Sequence, residues 1–402
     1  MRKSRIATAV AGAAMLSAAL VGCSSGGSGG GSTSLTVEDY YTQPNAGALD
    51  KVYQSCGKEI GAKVTSNHVP GAGLIAKVLQ QASSKTLPDV LMLDNPDVQQ
   101  IAESGALSPL KDYGITGDGF ADGVVKAGSY KGTLYGLAPA VNSLALFYNV
   151  DMLKAAGITP PKTWDELRAD AKKLTKSGQY GIAFSGINTY EGSWQFLPFM
   201  WSNGGDEKNI DTQPTVQALQ FLVDLVNDGS ASKSVVNWQQ GDVNNQFTAG
   251  KAAMMVNGPW NITSLKAAKG LNWASVPIPT RVAGQTPVAP LGGETFNVPR
   301  TGDKSKMALA GKLVKCITSD KNQVTIANTE GDVPAKPAVA QEVAKTNPLI
   351  ASFVTVVEHA RARTGELGPD WPKAATKIYT AEQLALTGKA TPADALKQAQ
   401  NQ

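Results

Sequence analysis

Pro88-Asp89-Val90-Leu91-Met92-Leu93-Asp94-Asn95 is the stretch on which the fold turns. Four apolar residues in a row, bounded by a Pro-Asp pair and by Asp94-Asn95, read as a short buried strand opening into a polar loop. Upstream, Ala62-Lys63-Val64 and Leu35-Thr36-Val37 open shorter strands, and between the three lie helical patterns over Leu49 to Ile60 and Leu74 to Ser83. Strand, helix, strand, helix, strand is α/β order. In open α/β sheets ligands collect beyond the carboxyl ends of the strands, so Asp94 and the Tyr40 to Gln43 loop, with Tyr41 and Gln43, are early site candidates.

Downstream, Tyr135-Gly136-Leu137-Ala138-Pro139 and Asn142 precede a strand over Leu144 to Tyr148. Thr163 followed three residues later by Glu166 predicts a capping box at a helix start, with Trp164 inside the first turn as a packing residue. A helical pattern over Lys304 to Ile317 and a C-terminal amphipathic helix over Thr391 to Gln398 complete the outline. The chain from Leu35 to Gln402 is longer than the ~250–300 residues that one hydrophobic core organises, so two domains are expected.

The N-terminus carries a separate message. Arg2, Lys3 and Arg5 precede an uncharged run from Ile6 to Val21 that is too short and small-sided for a stable membrane span, and the run ends in the lipobox Leu20-Val21-Gly22-Cys23. This resembles the signal peptide of bacterial lipoproteins, with cleavage before Cys23 and a lipid on its thiol; the plainer alternative is a secretory signal whose cysteine is incidental. Residues 1–22 would be the leader and 23–34 a tether, since Ser24 to Ser34 contains only Ser, Gly and Thr and cannot bury apolar surface. No later segment is long and apolar enough to span a bilayer.

Of the net charge of +4, Arg2, Lys3 and Arg5 supply three, leaving +1 after cleavage. Without a basic cluster a nucleic-acid partner is excluded. With Cys23 lipidated, Cys56 and Cys316 remain, and export places them in an oxidising compartment where a disulfide is the natural pairing; two separate buried thiols are the alternative. Neither of the two histidines, His68 and His359, shows a sequence sign of pairing with a thiol. Metal motifs, P-loops and serine-nucleophile signatures are absent, so neither cofactor nor metal is expected.

A series of landmarks in fixed order then resembles the family 1 extracellular solute-binding proteins of ABC importers, the family that includes maltose-binding protein. They are Tyr135 to Pro139, Phe147-Tyr148-Asn149, Ala156-Gly157-Ile158 with Thr163 to Glu166, Trp201 to Gly205, Gly250 to Met255, Asn257-Gly258-Pro259-Trp260, and the tail Gly388 to Gln398. The resemblance implies a type II periplasmic-binding-protein-like clamshell of two α/β lobes, 35–140 with 296–332 and 141–295 with 333–402. Three crossings would lie near Ala140 to Ser143, Gly292 to Asn297 and Gly331 to Pro334. It implies a receptor that closes around a carbohydrate and delivers it to permease subunits with a cytoplasmic ATPase, a lipid-anchored monomer without enzymatic activity.

Sugars pair apolar C–H faces with a rim of hydroxyls, so flat aromatics flanked by carboxylates and amides suit them. Trp260 stands in the family's ligand-stacking context, Trp194 falls where a stacking Tyr is found, and Trp371 sits in a loop ahead of the late helices. Trp201 and Trp238 read as packing residues. For the rim, Asn142 takes the place of a ligand-contacting Glu, Asp94 matches a cleft Asp, Glu294 follows Gly292-Gly293 where backbone can approach a ligand, and Glu191 is a further acid. Leu91, where the family's maltose-binding members carry an aromatic, and neutral Asn142 point to another mono- or oligosaccharide rather than maltose. The rim so assembled has acids but no Arg, which leans away from a glycerophosphodiester; a polyamine, which would want carboxylates around aromatics, is the other non-sugar rival within the fold. A glycosidase using two of Asp94, Glu191 and Glu294 is the remote alternative.

Overall fold

A computed structural model describes residues 33–43 and 45–402. The leader, the lipobox cysteine Cys23 and the tether up to residue 32 lie outside the described residues. The first strand, Thr33–Asp39, starts two residues earlier than the tether composition suggests, because Thr33 and Ser34 pair with Ala62 and Lys63 of the next strand. Backbone pairing needs no apolar side chain, which is why composition missed it.

Two sheets organise the chain. The first runs Ala62–His68, Thr33–Asp39, Val90–Asp94, Glu294–Asn297, Gly136–Leu137. Its first three strands are parallel, and Glu294–Asn297 returns antiparallel between Val90–Asp94 and Gly136–Leu137. The Val90 to Leu93 run is fully buried for a plain reason. Val90 and Met92 pack with Leu35, Leu49, Tyr53 and Phe296 on one face, while Leu91 and Leu93 pack with Leu74, Val78 and Ile101 on the other.

The second sheet runs Trp273–Val276, Ala145–Asn149, Ala252–Asn257, Tyr180–Ala183. One face sets Phe147 against Trp273 and Phe353. The other joins Leu146 and Met254 to Trp164, Phe199, Leu222 and Ile378 from surrounding helices. Thr163 does form the capping box with Glu166, and Trp164 is buried, its indole N–H donating to the Pro279 carbonyl and its ring stacked on Phe221. Among the described residues no helix is long and apolar enough to cross a membrane.

The strands that cross between the sheets are tied to one another. Ala140–Val141 pairs antiparallel with Val333–Pro334, and Asn142 exchanges both backbone hydrogen bonds with Gly292. Gly293 adopts φ +137°, and a Cβ there would stand 2.7 Å from the Ala140 carbonyl oxygen, so only glycine lets the second crossing lie against the first. Cys56 and Cys316 are bridged, joining the Asn45–Ile60 and Lys304–Ile317 helices with Cα atoms 5.7 Å apart.

Candidate functional site

Where the crossings meet, polar side chains from both sheets converge on Gly292. A Cβ at Gly292 would lie 1.9 Å from Asn142 Oδ1 and 2.9 Å from the Trp194 ring, so the bare backbone is what admits both side chains. Asn142 Nδ2 donates to Asp332 Oδ2 at 3.2 Å. Trp194 carries the Arg363 guanidinium on its ring, 4.4 Å from the centroid, and Arg363 Nη1 donates to Asp94 Oδ2 at 2.7 Å while Nη2 takes the other oxygen. Asp94 pairs in register with Glu294, whose Oε1 accepts from the Tyr40 hydroxyl at 2.9 Å. One continuous polar node therefore runs from Asp332 through Asn142, Trp194, Arg363 and Asp94 to Glu294 and Tyr40.

Local structure explains each placement. Asp94 ends the buried parallel strand, where the sheet rule puts ligand groups. Trp194 projects from the Tyr190–Ser202 helix one turn after Tyr190, which is 44% exposed and packs edge-on to Tyr379. Arg361, two residues before Arg363, repeats the arrangement: it sits over Trp201 at 4.7 Å and donates to both oxygens of buried Glu207. Trp194 and Trp201 are seven residues apart on one helix face, while Arg361 opens the short Arg361–Ala362 strand and Arg363 lies in the turn just after it, so each tryptophan meets one arginine.

The node is strongly acidic and poorly solvated. Burial, reinforced by Glu294, holds the Asp332 carboxyl well above the usual range, and burial with Asp332, Glu294 and Asp39 nearby does the same to Glu330. Burial, then the neighbouring Asp94 charge, raises Glu294. The same two causes, opposed by Arg363, push Asp97 up to about 8. Asp332 Oδ1, Glu330 Oε1 and Arg363 Nε are buried without a hydrogen-bond partner. Among the described residues no cluster of His, Cys, Asp and Glu could hold a metal ion. The surface cavity lined by Asp50, Tyr53, Lys63 and Ser66 shares no residue with this node.

Of the residues singled out from sequence, the node unites Asp94, Asn142, Trp194, Gly293 and Glu294. Trp260 is half-buried and packs at the edge of the second sheet's core, where a Cβ on Gly258 would strike its ring at 2.0 Å; the preceding Pro259 carbonyl oxygen lies 2.6 Å from where a Cβ on Gly331, between Glu330 and Asp332, would stand. Trp371, expected in the site, is 3% exposed and belongs to that core, since it opens the Trp371–Leu386 helix as a packing residue. Glu191 is committed elsewhere, its Oε2 accepting from the Gln240 backbone N–H at 2.7 Å at the start of the Gln240–Thr248 helix. Gln43 is exposed and its Oε1 lies close to Gly47 in the first turn of its helix, whereas Tyr41 is half-buried beside Tyr40. The expectation of a rim without Arg is overturned by Arg363. Tyr40 lies in the loop that the strand-end rule singled out, whereas Tyr190, Asp332, Glu330 and Arg363 went unread; of these only Asp332, within the third expected crossing, carried a signal that could have found it.

Beside the node, His68 Nδ1 lies 2.6 Å from buried Asp39 Oδ1, and Tyr53 donates to the second Asp39 oxygen at 3.1 Å. Burial opposes the imidazolium, but Asp39 and Asp50 outweigh it and raise the His68 pKa, whereas for Asp39 burial outweighs His68 and raises that carboxyl too. A raised histidine stabilises the fold fully below its unfolded value of about 6.5, and that contribution is lost as pH climbs through the higher folded value. The stability difference between wild type and His68→Gln, from urea unfolding, is expected to be larger at pH 5.5 than at pH 8.5. Equal differences at the two pH values would rule out the linkage.

A family model described as "Bacterial extracellular solute-binding protein" matches residues 51–352. The chain belongs to this family. Among relatives, a putative binding protein of Brucella abortus (strain 2308) is 26% identical over 386 residues, covering 92% of each chain. A maltooligosaccharide ABC transporter solute-binding lipoprotein of Streptococcus pneumoniae serotype 4 is 27% identical over 320 residues, covering 75% of this chain and 72% of that one. Among solved structures, maltose-bound T. maritima MalE3 superposes with a TM-score of 0.84 at 25% identity, covering 92% of this chain and 98% of that chain. This solute-binding protein thus has the two-lobe clamshell expected for it, an extracytoplasmic receptor fold whose lobes meet at the Gly292 node.

Proposed function

We propose that this solute-binding protein captures a mono- or oligosaccharide between its lobes and hands it to the membrane subunits of an ABC importer driven by a cytoplasmic ATPase. The observation that carries the reading is the pairing of Trp194 with buried groups that lack partners, a donor at Arg363 Nε and acceptors at Asp332 Oδ1 and Glu330 Oε1. A hydroxyl both donates and accepts, so a polyol satisfies such a mixed set, and a sugar C–H face covers an indole. The sugar-binding names of the relatives agree with it. Closure follows because the solute is complemented from both lobes only when they meet.

The protein acts as a lipid-anchored monomer held at the outer face of the membrane through Cys23. Its lobes are 35–140 with 296–332 and 141–295 with 333–402, except that Glu294 and Thr295 go with the first lobe, whose sheet they extend. We read no hydrolytic role, since each of the acids that a glycosidase would draw on is engaged: Asp94 by Arg363, Glu294 by Tyr40 and Glu191 by the Gln240 backbone N–H.

Titration of the protein with a panel of mono- and oligosaccharides tests this. A sugar at one hundred times Kd should stabilise the fold by about 2.7 kcal/mol, a shift of a few degrees in Tm. Trp194→Ala is expected to weaken binding of that sugar about 10- to 100-fold through lost stacking, and Trp260→Ala to do so if its ring also lines the cleft. No shift with any sugar, or an unchanged Kd in Trp194→Ala, would overturn the reading.

A further inference from the structure

The sugar reading of the cleft leaves its charge unexplained. Five carboxylates, Asp94, Asp97, Glu294, Glu330 and Asp332, meet at the node from separate elements, and the one cation among them, Arg363, spends both terminal nitrogens on Asp94. Asp332 is 3% exposed and Glu330 1%, and each keeps an oxygen with no hydrogen-bond donor. Buried carboxylates in such excess are costly unless a positive charge or protons come to them. A bare metal ion would need three or more ligands close enough to share it, and among the described residues no such group exists. The acids stand on separate elements instead, with Tyr40 on Glu294 and the Trp194 ring at Gly292 beside them.

Acids spaced too widely for a metal, next to aromatic faces, suit an organic ammonium, whose three N–H donors reach separate oxygens while its neighbouring C–H groups lie on the rings. Resting on the sugar reading, we infer that the solute is a carbohydrate bearing a protonated amine, its ammonium received by Asp332 and Glu294. Neutral hexoses would leave Asp332 Oδ1 and Glu330 Oε1 to compete for hydroxyl donors while their charge stayed uncompensated. N-acetylation would remove the charge and add bulk where the acids converge.

The test is calorimetric titration of the full chain with matched trios: glucose, glucosamine and N-acetylglucosamine, the galactose and mannose equivalents, and the β-1,4 disaccharides of the glucose series. At least one amine is expected to bind about 10- to 100-fold tighter than both its neutral and its N-acetylated partner, as a charged hydrogen bond replaces a neutral one. That advantage is expected to shrink at high salt. Asp332→Asn keeps the acceptor for Asn142 and removes the charge, and it should bring amine and neutral partner to within about threefold; Glu330→Gln is the companion should the first variant not fold. Neutral sugars binding as well as or better than the amines would overturn the inference while leaving the sugar reading intact. Silence across charged and neutral sugars alike would overturn both.

Discussion

Reducing the Cys56–Cys316 bridge, or replacing Cys316 with Ser, is expected to produce the largest loss of stability available from a single change in this protein. The two cysteines are 260 residues apart in sequence. Closing a loop of that length removes chain entropy from the unfolded state worth about 5.5 kcal/mol at 25 °C in the simple polymer model, and measured bridges fall at or below such values. Over some 370 residues at about 2.1 cal/mol/K each, this corresponds to a fall in Tm of about 7 °C. Cys56 is wholly buried, but Cys316 is half-buried and within reach of a reductant. Guanidinium unfolding with and without dithiothreitol checks the size. A difference below about 1 kcal/mol would mean that the packing of the two helices already restrains the unfolded chain, and that the bridge adds little. Because neither cysteine belongs to a crossing or to the node, the Kd for solute is expected to stay within about twofold on reduction.

Arg363→Gln is the second. The guanidinium side chain is 6% exposed and Asp94 is 26% exposed, so the substitution leaves a poorly solvated carboxylate without its partner and strips the cation from the Trp194 face. Breaking a buried pair by removing one member costs about 3–5 kcal/mol, and the partial exposure of Asp94 places the expectation near the lower figure, about 3 kcal/mol. Arg363→Lys keeps the charge but loses the planar fork that matches both Asp94 oxygens, and should recover less than half of that. Solute affinity is expected to fall more than tenfold in Arg363→Gln, because Asp94 and Trp194 lose the group that orients them. A double-mutant cycle with Asp94→Asn isolates the pair: a coupling below about 0.5 kcal/mol would show that the two residues act independently. The His68 comparison is a separate measurement, since raised carboxyls in the node also lose their stabilising protonated form as pH rises, and only the difference from His68→Gln removes that shared background.

Much of the fold was legible because it is written in short range. The Val90 to Leu93 run, the Thr163 and Glu166 capping box, and the helical spacing around Cys56 and Cys316 depend on residues within a turn or two of one another. The order of landmarks added what local patterns could not, namely two lobes with three crossings. Asp94 and Glu294, which the node brings together, were candidates for the same reason, since each sits at a strand end or glycine pair whose pattern is local.

The misreadings share the opposite cause. Trp371 looked like a ligand residue because its loop is rich in Gly and Pro, but the face its helix turns to the core is chosen by the packing of several helices at once. Glu191 looked like a cleft acid until the helix beginning at Gln240 claimed it. Arg363 sits 269 residues from Asp94, and nothing in either neighbourhood announces the other.

From the sequence alone came the α/β order and, by resemblance, the two-lobe architecture, together with the expectations of an export signal and a sugar rim, all of which rest on composition, period and short motifs. Tertiary structure alone decided which side chains share the node, that Asn142 meets Asp332, and that Arg363 bridges Trp194 and Asp94. Such contacts join residues hundreds apart through the crossing strands, and their energies depend on burial and distance, which exist only once both sheets have formed.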